Sequence, residues 1–379
     1  MSFDTYRYLL MTIDPVHIGT GGMRLGRVDN SIVREPGTRL PKIPGTSLSG
    51  AIRSYAAYRF DKRQCAGQGG HCGKPSCPIC YTFGSVNDVR SYSGVVSISD
   101  ARLLLFPVYS MAGPIWVTSP STLEDFGLTG ERVDDGKAKW NGIIDKDHLN
   151  LGWLMVEKDK KDGDDWPGAI NLKNRFAGMP ESACNRIVLV SDKLFSQVVN
   201  SNLEVRTSVS INPETGAAEE GALFTYEAIP RAAFLWFDVV KDDYRGAFLS
   251  RRQLIDWKAI LESGNEDDQK GIVGNWHIWK NSDGDAKLKD GIKKALSWVT
   301  DDLKRYDEST IPTPNEGWKN EMQKDEQDSP QYVTTAGLEW SEHLGIGGMG
   351  TRGFGRIRKI DCHQSKTDAG QIRERAKNA

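Results

Sequence analysis

Four cysteines within sixteen residues, spaced Cys65-x6-Cys72-x4-Cys77-x2-Cys80, constrain this chain more than any other feature. Four thiolates close a tetrahedral shell around one ion, and a terminal C-x2-C is the usual knuckle of such a site. The stretch Met1–Asp14 carries charges and does not read as an export signal, so clustering favours metal ligation over disulfides. His71 adjoins Cys72 and is an alternative to Cys65 in the shell. With five candidate ligands no position need stay open, so the expected ion is a structural Zn2+ in a loop over residues 61–84; free thiols are the alternative. Cys184 and Cys362 stand alone and read as ordinary thiols.

The chain has 379 residues, enough for one elaborated domain or a fused pair. No apolar stretch approaches the roughly 18–20 residues of a membrane span, so a cytoplasmic, soluble chain with no membrane partner is expected. A formal net charge of −2 would argue against a polyanionic partner if the charge were evenly spread. It is not: Arg24–Lys74 holds ten Lys and Arg against three Asp and Glu. The end from Arg352 is basic again, whereas Asp301–Asp328 is mostly acidic. A basic front on a neutral chain is compatible with RNA binding, although a merely solvated basic face would look the same.

Hydropathy patterning places the elements. Tyr6–Ile13 alternates as a first strand, and a glycine-rich stretch, His17 to Gly26, follows it. Leu48, Ile52, Tyr55 and Ala56 share one face of a helix over Ser47–Phe60, with Thr46 or Ser47 as N-cap. Gly94–Phe106, Ile187–Val190 and Ala232–Val240 read as strands. Two stretches look inserted: 131–181, without clear periodicity, and 254–330, with helical pieces at Gln253–Leu261 and Leu288–Leu303. Strands mixed with a few helices and no regular βαβ alternation favour an α+β sheet with helices on one face.

Three local patterns point to a polynucleotide. Residues Pro44 to Arg53 bring hydroxyls (Thr46, Ser47, Ser49), free N–H groups and a cation to a helix start, a ready anion site. Lys42, Arg53 and Arg59 would then follow successive phosphates; an ordinary capped helix is the alternative. The loop Gly345–Gly355 precedes a strand, unlike a dinucleotide fingerprint, and its Gly347 and Gly348 allow close approach of a sugar-phosphate chain beside Arg352 and Arg356. The third is a hairpin over Val205–Ile229, turning at Asn212-Pro-Glu-Thr-Gly216. If it projects, Phe224 or Tyr226 would wedge between bases, with Arg206 near its base. For chemistry the candidate is Asp29, a carboxylate among arginines that also fits a plain ion pair. His17 is the nearest general acid–base group.

Taken in order, these pieces resemble the RAMP superfamily, specifically the backbone subunits of type III CRISPR effector complexes. The matching residues are His17-Ile-Gly-Thr-Gly21, Val28-Asp29 through Arg34-Glu35, Ile43 to Arg53, and Cys77-Pro-Ile-Cys-Tyr-Thr-Phe-Gly84. They continue with Ser99-Asp-Ala-Arg102, the arm Arg206 to Pro230, and Gly345–Arg358. Residues Ser97–Val108 lean toward the type III-B (Cmr) version, the cysteine cluster toward the Csm or III-D versions. The resemblance implies a ferredoxin-like, RRM-related core over residues 1–130, 186–240 and 331–363, with a thumb hairpin at 202–230. Insertions would occupy 131–185 and 241–330, and residues 364–379 would be a frayed tail. It further implies a filament of copies or related RAMP subunits, with other subunits, holding a guide RNA (crRNA) and cutting target RNA at the nucleotide the thumb displaces. In that scheme Asp29 serves a Mg2+-dependent endoribonuclease active only in the assembled complex. A non-catalytic RNA-binding subunit and a stand-alone nuclease for precursor RNA are the alternatives.

Overall fold

Period-two alternation in the first strand decides which side chains enter which core. The computed structural model describes residues 3–21, 28–67, 69–86, 91–128, 131–159, 178–276, 283–303 and 329–367, with four isolated positions between these segments. The chain begins with β1 (Phe3–Thr12), β2 (Lys42–Ile43), α1 (Gly45–Arg59), α2 (Pro78–Phe83), β3 (Gly84–Ser85), β4 (Tyr92–Ser93) and β5 (Val96–Ile98). Next come β6 (Ala101–Val108), β7 (Ile115–Thr118), α3 (Pro120–Phe126), β8 (Lys137–Trp140), β9 (His148–Leu151) and β10 (Leu154–Lys158). They are followed by α4 (Glu181–Cys184), β11 (Ile187–Val190), α5 (Asp192–Ser201), β12 (Glu204–Ile211), β13 (Ala218–Ala228) and β14 (Phe234–Lys241). The last elements are α6 (Arg251–Glu262), α7 (Glu266–Asn275), α8 (Asp285–Leu303), α9 (Pro330–Leu344) and β15 (Ile357–Thr367).

The architecture is α+β, built on an 11-stranded sheet ordered β15-β1-β14-β6-β7-β11-β8-β10-β9, with β2 on β6 and β5 on β14. Neighbours among β15, β1, β14 and β6 are all antiparallel. Tyr8 and Leu10 of β1 and Leu235 and Phe237 of β14 face one side, where Leu48 and Ile52 of α1 and Leu338 of α9 cover them. The intervening Leu9, Phe234 and Trp236 face the other side, under Leu123 and Phe126 of α3 and Ala183 of α4. Helices therefore cover both faces, not one as the sequence implied, because β1 and β14 are apolar on both sides of the pleat. A register shift between β14 and β6 lets consecutive Leu104 and Leu105 enter the same core.

Other expectations also shift. Residues 131–185, expected as an insertion, contribute β8, β9 and β10 to the main sheet. β15 continues to Thr367, opposite Phe3, so the first residues assigned to a frayed tail are paired; residues 368–379 lie outside the described residues. The helices α6, α7 and α8 gather around their own cluster, with Leu254, Val273, Leu288 and Val299 buried and the Trp257, Trp276 and Trp298 rings in contact.

α1 and α9 touch backbone to backbone. A Cβ on Gly337 would lie 2.1 Å from the Ile52 carbonyl oxygen, which no side-chain rearrangement relieves. Gly337→Ala must push the helices apart and is expected to cost about 1–3 kcal/mol, read as a lower midpoint in denaturant unfolding.

Candidate functional site

The cysteine loop forms as its spacing requires. Cys77 caps α2, Pro78 occupies the first helical position, and Cys80 follows one turn later on the same side. Cys65 Sγ lies 3.8 Å from Cys77 Sγ and 3.6 Å from Cys80 Sγ, and Cys72 Sγ is 3.8 Å from Cys80 Sγ. All four sulfurs fall within 4.8 Å of one another. Zn–S bonds of about 2.3 Å in a tetrahedron imply S–S edges of ~3.8 Å, so the cluster fits one metal ion. Hydrogen bonds from Cys65 and the other thiols draw Cys72 down, and the same network together with burial pushes Cys77 up. His71, the alternative ligand, stands apart: its Nδ1 accepts from the Val86 N–H at 2.9 Å, and four sulfurs converge without it.

This loop also joins other parts of the chain. Arg53 Nε donates to the Cys65 carbonyl at 2.8 Å, anchoring the loop to α1. Lys62 Nζ meets the fully buried Asp302 of α8 at 2.7 Å, and Lys74 lies 5.7 Å from the Trp298 ring centre.

A second constellation assembles where three distant segments meet. The hairpin β12–β13 is a separate two-stranded sheet, with Val209 opposite Leu223 and Thr207 opposite Thr225. Its turn closes as predicted: the Glu214 N–H donates to Asn212 Oδ1 at 2.8 Å, and the Asn212 N–H donates to the Ala217 carbonyl at 2.9 Å. Val205, Val209, Ile211 and Leu223 are exposed, as expected of an arm that leaves the body. On one face of its base, Arg352 Nη1 donates to Ser208 Oγ at 2.9 Å and Arg206 sits 4.9 Å from the Phe354 ring centre. Along the free edge of β13 lies the segment carrying Asp29, with Asn30 bridged to Tyr226.

Asp29 is fixed by that arm. Its Oδ2 accepts from the Thr225 N–H and the Thr225 hydroxyl, both at 2.8 Å, while its own N–H donates to Thr225 Oγ1 at 3.0 Å. These bonds, that from the Thr225 backbone foremost, hold the carboxyl below the usual carboxylate range. Among the described residues Oδ1 has no hydrogen-bond partner. Asn30 continues the junction, its N–H donating to the Thr225 carbonyl and its carbonyl accepting from Glu227, both at 3.0 Å. Arg34 forms a salt bridge to Glu227 and donates from Nε to Asn200 Oδ1 at 2.9 Å.

His17 is buried, with Nδ1 2.7 Å from the Glu227 carbonyl and its ring edge-on to Tyr226 at 5.6 Å. The Gly348 N–H donates to the His17 carbonyl at 3.1 Å. Gly347, at φ +82°, passes so close that a Cβ would lie 2.5 Å from the same oxygen. The two glycine loops are thus in contact, and Tyr55 of α1 donates to the Gly345 carbonyl beside them.

Several residues expected to meet phosphates are committed elsewhere. Thr46 and Ser47 do not cap α1, which starts after Pro44, because Asp100 Oδ1 accepts from the Gly45 N–H at 2.7 Å. Asp100 also pairs with Lys42, so a carboxylate of the chain occupies the helix start. Arg53 serves the cysteine loop. Arg59 is buried against Glu339 and the Ala336 carbonyl of α9. Arg356 pairs with Asp14, and Tyr226 packs on His17. Phe224, exposed Thr46 and half-buried Ser49, with Arg206, Arg352, Gly347 and Gly348, remain at the surface. Sequence reasoning missed Thr225, Glu227 and Asp100. No local signal marks Thr225 or Glu227, because their partners lie 196 and 193 positions away.

The profile of the RAMP superfamily matches residues 9–358. The chain belongs to this superfamily. Among RAMP relatives, the CRISPR system Cmr endoribonuclease Cmr4 of Pyrococcus furiosus is 30% identical over 293 residues, covering 70% of this chain and 92% of the relative. The CRISPR system Cms endoribonuclease Csm3 of Methanothermobacter thermautotrophicus is 42% identical over 81 residues, 21% of this chain and 32% of that one. A crystal structure of oligomeric Cmr4 from Pyrococcus furiosus aligns over 97% of this chain and all of its own, at 18% identity and a TM-score of 0.48. No helix among the described residues is long and apolar enough to cross a membrane.

Proposed function

We propose that this RAMP chain is a guide-RNA-binding backbone subunit of a cytoplasmic type III CRISPR interference complex, and that it cuts complementary target RNA at the nucleotide its hairpin arm displaces. The single observation that carries the reading is Asp29: a carboxylate at the foot of a projecting arm, one oxygen fixed by Thr225 and the other without a partner among the described residues. The names of the Cmr4 and Csm3 relatives, both endoribonucleases, support the same chemistry. The order β15-β1-β14-β6, with α1 and α9 on one face, supports a ferredoxin-like, RRM-related core. The partners are guide and target RNA, copies of this chain or related subunits, and the other subunits of the complex.

The arm separates one target nucleotide from its neighbours, with Phe224 as the exposed ring beside it. A 2′-hydroxyl attacks the adjacent phosphorus; the 2′-O–P bond forms and the P–O5′ bond breaks, leaving a cyclic phosphate and a 5′-hydroxyl. Asp29 Oδ1 accepts the hydrogen bond of the attacking 2′-hydroxyl and holds it in line; the proton this hydroxyl loses passes to solvent water, and water returns one to the departing O5′. Placement of this kind lowers barriers by up to about 7–11 kcal/mol in the best cases, so one carboxylate can suffice. Mg2+ fits a lone carboxylate plus substrate phosphate, since it keeps most of its waters; when bound, it would stabilise charge on the phosphate. The four cysteines would hold Zn2+ as a closed structural site.

His17 speaks against a stand-alone processing nuclease, because it is buried with one ring nitrogen on the Glu227 carbonyl. The assembled complex carrying Asp29→Ala is the test between a catalytic and a purely structural subunit. It should bind target RNA like the parent and leave it uncut, whereas cutting at the parental rate would refute the catalytic role.

A further inference from the structure

We infer that Thr225 is a positioning residue through which the hairpin arm sets the Asp29 carboxylate, so that cleavage competence depends on β13 being seated against residues 28–34. This rests on the reading of Asp29 given above.

Asp29 lies in a segment without regular secondary structure, where a carboxylate alone would sample several rotamers. Two hydrogen bonds to the carboxylate and one from the Asp29 backbone remove that freedom, and all three are made with one residue. The Thr225 hydroxyl is used in both directions, donating to Oδ2 at 2.8 Å and accepting from the Asp29 N–H at 3.0 Å. The Thr225 N–H supplies the third bond. With Oδ2 saturated, the clamp also selects Oδ1 as the oxygen left to act. Backbone pairing on both sides of Asn30 makes residues 29–30 and β13 one body. The arm that displaces a nucleotide and the carboxylate beside it therefore move together, and Thr225 is the side chain that joins them.

Valine has nearly the shape of threonine and suits a strand, so Thr225→Val leaves the arm and the backbone bond intact while removing both hydroxyl bonds. Serine retains the hydroxyl. Complexes carrying Thr225→Val, Thr225→Ser or Asp29→Ala should be compared with the parent for target-RNA affinity and for single-turnover cleavage at saturating complex. The expected result for Thr225→Val is a cleavage rate lower on the order of tenfold, the effect of one hydrogen bond to a charged group, with affinity unchanged. Thr225→Ser should cut at close to the parental rate. The inference is overturned if Thr225→Val cuts like the parent, if it loses affinity with no change in saturated rate, or if serine fails as valine does. Failure of the underlying reading looks different: Asp29→Ala would itself cut normally.

Discussion

A complex carrying Asp29→Asn is expected to bind target RNA like the parent and cut it about 10²-fold more slowly, the usual cost of losing the group that orients a reacting atom. Asparagine isolates the charge from the placement. Its amide oxygen can accept the two bonds that Thr225 gives to Oδ2, so residues 28–34 keep their seat on β13. What changes is the outward atom, from an anionic acceptor to an amide donor, which can neither accept the hydrogen bond of the attacking hydroxyl nor attract a cation. The parent carboxyl is held ionised by the Thr225 donors, so the loss should be constant over the neutral pH range. Single-turnover cleavage and a separate binding titration give the two quantities. An asparagine complex that cuts at the parental rate removes Asp29 from the chemistry.

The second large effect concerns the cysteine loop. Protein prepared without chelators should carry about one zinc per chain in a closed four-ligand site, measured by elemental analysis. Cys77→Ser replaces a fully buried thiol of the cluster and should abolish stoichiometric metal. Structural zinc contributes about 10–16 kcal/mol to small domains that depend on it; here α1, α2 and α9 pack around the loop through Ala56, Ile79 and Val333, so part of the fold persists. A loss of about 4 kcal/mol would lower Tm by roughly 5 °C for a chain of 379 residues. Because Lys62 and Lys74 contact α8, protease sensitivity should rise in residues 251–303 as well as in the loop. Metal-free parent protein with an unchanged Tm would refute the structural role.

Both effects concern residues that the sequence marks, though unevenly. The four cysteines declare themselves because a metal-sized cluster can be built from groups close together along the chain, and their spacing pointed to it. The hairpin was equally legible: alternation in Val205–Ile211 and the turn Asn212–Gly216 are local properties. So was the presence of a carboxylate in the segment around Asp29.

The fate of the basic residues was decided elsewhere. Lys42, Arg53 and Arg59 read as a phosphate track and Arg356 as a cation beside the glycine loop, yet each is engaged by Asp100, the Cys65 and Phe83 carbonyls, Glu339 or Asp14. Sequence counts charges but cannot pair them, since pairing depends on which segments the sheet brings together. The same holds for residues 131–185, whose strands carry little periodicity and become strands by adding to an existing edge. Most of all it holds for Asp29, whose partner Thr225 is an unremarkable strand residue until β13 folds beside it. Local order along the chain fixes ligand spacing, turns and amphipathic faces; only long-range packing determines which polar groups are consumed by the fold and which are left for a ligand.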